Sequence, residues 1–151
     1  MPKRKKGALQ YLNPAAVPAP FSRYSQGVEA PADWRWLHIS GQVGVGHSGA
    51  LPESFAEQAR TAWRNLLAIL DQAGMSARHL VKVTAYVTRP GDVGSYRVVR
   101  DSMLGEAQPA SILVVVAALA DPRWLVEIEA VAAAPDRGGP PEGLASEARG
   151  G

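Results

Sequence analysis

Residues 108–131, QPASILVVVAALADPRWLVEIEAV, decide how this chain folds. From 112 to 119 both parities of the strand period are apolar: Ile112, Val114, Val116 and Ala118 on one side, Leu113, Val115, Ala117 and Leu119 on the other. Such a run predicts a strand buried on both faces. From 125 to 132 the pattern changes, with Val126, Ile128, Ala130 and Ala132 alternating with Leu125, Glu127, Glu129 and Val131. That alternation predicts a strand with one core face, and it sets two carboxylates on the other. Ala120, Asp121, Pro122 and Arg123 lie between the two runs as a turn, so the simplest expectation is an antiparallel hairpin.

Upstream, residues 80–88 alternate in the same way, with Val81, Val83, Ala85 and Val87 opposite Lys82, Thr84, Tyr86 and Thr88. Two helices flank that strand. Ser54 followed three residues later by Glu57 reads as a capping box, and Phe55, Ala59, Ala62, Leu66, Ile69 and Ala73 recur at helical spacing until Gly74. The second, over residues 92–104, turns Val93, Tyr96, Val99 and Met103 inward and ends at Gly105. Residues 24–28 and 36–45 add strand candidates. Gly41, Gly44 and Gly46 interrupt the latter, as glycines do at a bulge or where another group comes close to the backbone. Residues 8–20 carry three prolines and read as an extended segment across the domain.

Two helices cover one face of such a sheet and leave the other bare. A strand apolar on both faces must then find its cover in another subunit or be left as an exposed apolar patch, and a homo-oligomer is expected.

Composition narrows the function. With 151 residues, 46% of them hydrophobic, the chain fits one core. There are no cysteines, which excludes disulfides, thiol nucleophiles and Cys-ligated zinc. No apolar run reaches the roughly 20 residues of a membrane helix, and a soluble, cytoplasmic protein is expected. The net charge of +2 conceals a basic tail: Lys3, Arg4, Lys5 and Lys6 are four of the 16 basic residues, against 14 acidic ones. Residues 1–7 are expected to be a solvated, disordered tail rather than a nucleic-acid contact, residues 8–134 a single domain, and the Gly- and Pro-rich residues 135–151 a second disordered tail. His38, His47 and His79 lie on different elements, so no catalytic triad and no metal site is indicated.

In order along the chain, YSQGV at 24–28, ISGQV at 39–43, ARTAWRNLLAILDQAG at 59–74, VKVTAYV at 81–87 and VEIEAVA at 126–132 resemble the Rid family, also called YjgF, the reactive intermediate deaminases. The likeness implies an α+β, chorismate-mutase-like fold: a mixed sheet with two helices on one face, assembled as a homotrimer with clefts between subunits. It implies hydrolysis of enamines and imines to 2-oxo acids and ammonia, with no cofactor, on a small molecule in the intersubunit cleft. Carried over by position, the catalytic candidates are Glu127, which would position water, and the cleft tyrosine, Tyr24. Ser40 and Gly41 would contact ligand through the backbone, Leu113 falls at a further backbone contact, and Tyr86 is an additional ligand-binding candidate.

One position departs from the family. Its carboxylate-binding arginine follows a Pro-Ala pair, and here Pro109 and Ala110 are followed by Ser111. A planar guanidinium grips a carboxylate through two hydrogen bonds, and a serine cannot. Losing that pair costs about 1.5–3 kcal/mol, roughly tenfold to a hundredfold in affinity. A standard 2-imino acid is therefore expected to be a poor substrate, and a non-catalytic ligand-binding protein is the alternative. Arg35, Arg97, Arg100 and Arg123 could restore a cation by residue type alone; Arg123 lies in the turn, and Arg97 and Arg100 are expected to face water from the second helix.

Overall fold

The computed structural model describes residues 7–138. The basic residues 3–6 and most of the expected C-terminal tail lie outside them, so neither tail expectation is addressed. Six strands and two helices follow one another as β1 (Gln10–Leu12), β2 (Gly27–Glu29), β3 (Arg35–Val43), α1 (Phe55–Gln72), β4 (Leu80–Val87), α2 (Val93–Leu104), β5 (Ala110–Val115) and β6 (Val126–Ala134). The main sheet has the order β3-β6-β4-β5; β4 and β5 are parallel and the other neighbours antiparallel. The fold is α+β, two helices on a mixed four-stranded sheet. The first two strands form a separate antiparallel ribbon, which accounts for the extended proline-rich start.

The expected hairpin between residues 112–119 and 125–132 does not exist. The two runs are strands of one sheet, but β4 lies between them and pairs with both. A turn does stand at 121–123, where Asp121 accepts hydrogen bonds from the Arg123 backbone and guanidinium. It ends a longer crossing, because the chain leaves the sheet after Val115. Within one chain the expected double burial also fails: β5 is an edge strand, with Ile112 47% and Val115 43% exposed. An edge strand is covered only when something is laid against it.

Helix α1 forms where its apolar spacing predicts. The Ser54 hydroxyl accepts the Glu57 backbone N–H at 3.3 Å, half of the expected capping box; the Glu57 carboxylate pairs with Arg60 instead. Gly74, at φ +67°, ends the helix in a conformation that penalises a side chain, and Met75 N–H reaches back to the Leu70 carbonyl. Trp63, Leu66 and Leu70 of α1 are fully buried with Val83, Ala85, Val87, Val126 and Ile128 of the sheet. Burying one such side chain contributes about 1.5–3 kcal/mol, so this layer is the main source of stability.

Helix α2 turns Tyr96 and Val99 inward as expected, with Leu104 buried and Val93 and Met103 only partly so, but Arg100 goes with them and is only 2% exposed. Its expected position facing water is corrected by the helix period: Arg100 follows Tyr96 by four residues and so shares its buried face. It is compensated there by Asp101, at 2.9 Å.

Candidate functional site

The site begins at the β3 bulge. Pairing of β3 with β6 is regular up to Ile39 opposite Ala130 and resumes at Gln42 opposite Ile128, so the register slips at Ser40 and Gly41. A slip of this kind re-aims the backbone, and the Glu127 side chain lies in the notch it creates. A β-carbon placed on Gly41 would lie 2.9 Å from the Glu127 carboxyl carbon and overlap one carboxylate oxygen. Any side chain at 41 would therefore have to displace the carboxylate above it. The sequence offered a bulge or a close approach at these glycines, and position 41 has both.

Gly44 answers to a different neighbour. A β-carbon there would lie 2.6 Å from the Gln58 Cα, so this glycine lets the end of β3 run against α1. Gln58 is buried and fixes three backbone groups: its amide donates to the carbonyls of Pro52 and Arg123 at 2.9 and 3.1 Å, and its carbonyl accepts Leu125 N–H at 2.9 Å. Because Leu125 immediately precedes β6, helix α1 sets where that strand starts and so where Glu127 stands.

Beside Glu127 the bare face of the sheet is polar. Tyr86 pairs with Glu127 across the strands, and its hydroxyl donates to Glu129 at 3.2 Å. Partial desolvation, the hydrogen bond to Glu129 and the two carboxylates all hold the Tyr86 hydroxyl above the ordinary phenol range, so it stays a proton donor. Further along, His38, Ser40, Lys82, Thr84 and Glu129 line a trough of about 370 Å³. Among the described residues, no group of three His, Asp or Glu side chains could hold a metal ion.

The other candidates lie elsewhere. Tyr24, Ser111 and Leu113 line a cavity of about 210 Å³ with Phe21, Ser22, Arg97 and Arg100, between the segment before β2, helix α2 and strand β5. Ser25 pins that segment to the start of β5: its N–H donates to the Pro109 carbonyl and its hydroxyl to the Gln108 carbonyl at 2.6 Å. Arg23 donates to the Gly105 carbonyl from the same segment. The Tyr24 hydroxyl accepts Phe21 N–H at 3.2 Å, which leaves its own proton to be given away.

The seven candidates therefore fall into two groups. Ser40, Gly41, Tyr86 and Glu127 gather on the bare face, and Tyr24, Ser111 and Leu113 gather at the β5 edge. Ser111 pairs with Val83, whose side chain is in the core, so residue 111 points to the helix side. Glu127 is two strands away, roughly 10 Å across the sheet, and on the opposite side. Sequence reasoning named the two arginines of the cavity by residue type alone and expected both to face water, although the four-residue interval from Tyr96 to Arg100 carried the signal that Arg100 does not.

The match to known proteins is consistent. Residues 14–134 match the family model described as Endoribonuclease L-PSP. The chain is 35% identical over 124 residues to the 2-iminobutanoate/2-iminopropanoate deaminase of Mus musculus, spanning 80% of this chain and 88% of that protein. It is 43% identical over 81 residues to a RutC family protein of Aquifex aeolicus, 53% of this chain and 62% of that one. Among solved structures, YyfB of the conserved Rid protein family from Yersinia pestis superposes with a TM-score of 0.72 at 28% identity, covering 82% of this chain and 97% of that one.

Proposed function

The chain belongs to the Rid (YjgF, Endoribonuclease L-PSP) family, and on that premise we propose that it hydrolyses a small enamine or imine in clefts between the subunits of a homotrimer. The observation that carries this reading is the Glu127 carboxylate held over the Gly41 notch. There it can take a proton from a water molecule while the backbone around Ser40 and Gly41 holds the ligand. The water oxygen adds to the C=N carbon, and the proton passes by way of the carboxylate to nitrogen. The hydroxyl of this adduct then passes its proton, again by way of the carboxylate, to the nitrogen as the C–N bond breaks, so ammonia leaves and the carbonyl of the product remains. An enamine enters the same sequence after its carbon is protonated.

Tyr24, with its proton free, and the backbone at Leu113 would meet this carboxylate from a neighbouring copy, since on a single chain they stand on the wrong side of the sheet. The exposed apolar side chains of Ile112 and Val115 on the β5 edge favour such a neighbour. With Ser111 where a guanidinium would clamp a carboxylate, 2-iminopropanoate generated in place should turn over slowly, and Glu127→Gln should remove what turnover there is. Rapid turnover by the native chain would refute the argument from Ser111.

The same serine favours a second reading, a ligand-binding protein without turnover. Glu127→Ala separates the two, because a binder changes only in affinity whereas an enzyme loses its rate.

A further inference from the structure

The cavity that holds Tyr24, Ser111 and Leu113 is not without cations, because Arg97 and Arg100 form its α2 wall. The two are differently held. Arg100 is buried, its guanidinium fixed by Asp101 at 2.9 Å and pointing Nη2 toward the Ser22 hydroxyl at 3.4 Å. Arg97 is exposed and makes no ion pair or hydrogen bond among the described residues. With Asp101 offsetting one charge, the wall retains about one unit of positive charge facing the strand where Ser111 stands.

The remaining lining has the opposite character. Phe21, 82% exposed, stands at the cavity with Leu113, which pairs with core Ala85 and so points to the helix side: an aromatic ring and an aliphatic side chain. A space of about 210 Å³ is below the roughly 300–1,000 Å³ of drug-sized pockets, so its occupant has only a handful of heavy atoms. We propose that this cavity binds a small carboxylic acid with its carboxylate on Arg97 and Arg100 of α2 and its apolar body against Phe21 and Leu113. Anion recognition is thereby moved from the strand to the helix.

This inference rests on the reading of Tyr24, Ser111 and Leu113 as part of a ligand site. It also separates binding from rate. Holding an acid on α2 does not require Glu127, so affinity for the carboxylate and the rate of hydrolysis are read independently.

The test is calorimetric binding to the full chain, with 2-oxobutanoate as the acid and 2-oxobutanamide as its neutral counterpart. The acid should bind at least about tenfold more tightly than the amide. Arg97→Ala, a change at an exposed residue, should weaken the acid about tenfold and leave the amide unchanged, and Arg97→Lys should recover part of the loss. Arg100→Gln should also weaken the acid. If that variant fails to fold, the Arg97 pair of variants still decides. Equal affinities for acid and amide, or an acid affinity indifferent to Arg97, would overturn the proposal. Acid binding that depends on Arg97 in a chain that turns over no imine would uphold it while removing the deaminase reading; turnover without that dependence would do the reverse.

Discussion

The carboxylate of Glu127 occupies the volume that any side chain at Gly41 would need. Two residues far apart in sequence are thus tied by shape: the β3 bulge makes the notch, and β6 delivers the acid into it. Since Glu127 is on the strand that Gln58 anchors through Leu125, the position of the carboxylate depends on both the bulge and the helix.

Gly41→Ala should therefore separate fold from function. The atoms a methyl group would meet are at the end of a flexible side chain, which can swing aside at a stability cost under about 1 kcal/mol. The displaced carboxylate should no longer hold water over the notch. The expected result is a near-native urea midpoint with at least about tenfold loss in kcat/KM for whichever imine the native chain accepts. Full activity in the alanine variant would mean that the notch is not where Glu127 acts.

Gly44→Ala should behave in the opposite way. Here the new methyl meets the backbone of Gln58, and a helix cannot rotate aside as a carboxylate can. Overpacking of this kind costs about 1–3 kcal/mol. The urea midpoint should fall accordingly, and by more than for Gly41→Ala.

The reach of the sequence differed from element to element for physical reasons. Helix α1 and strand β4 were legible because their apolar periods are local properties and match the core they build. The hairpin expectation failed because pairing is not local: adjacency in sequence favoured β5 against β6, while β4 took the place between them. The β5 run looked like a two-sided core strand because its apolar side chains extend over an edge that a single chain leaves open. Glu127, Gly41 and Tyr86 were singled out by position, and they do share one face. Ser111 was singled out too, but only the register with Val83 shows that it faces α2 and its arginines.

Gln58 should be among the most sensitive polar positions. Replacing it with Leu leaves the Pro52 and Arg123 carbonyls and Leu125 N–H without their partner in a buried setting. Each unsatisfied group costs about 1–3 kcal/mol, so a total of about 2–5 kcal/mol is expected after partial rescue by water. A urea midpoint unmoved in Gln58→Leu would contradict the role of this amide in setting the start of β6.

His79 gives the stability a pH dependence of definite sign. Its Nδ1 accepts Ser76 N–H at 2.9 Å and closes the turn that leads into β4. Partial burial, then the nearby charges of Arg78 and Arg35, hold the imidazole below its ordinary range. The folded chain thus takes up this proton less readily than the unfolded one. The contribution of the turn is complete above the ordinary imidazole value, near 6.5, and is lost as the pH falls from there through the lowered value, where protonated Nδ1 can no longer accept. Because His79 is only partly buried, the effect should be small, roughly 1–2 °C in Tm between about pH 8 and pH 5.5. His79→Gln keeps an acceptor that does not titrate, so its Tm should fall less over that interval. Parallel Tm profiles for the two chains would show that His79 contributes nothing to the acid sensitivity of the fold.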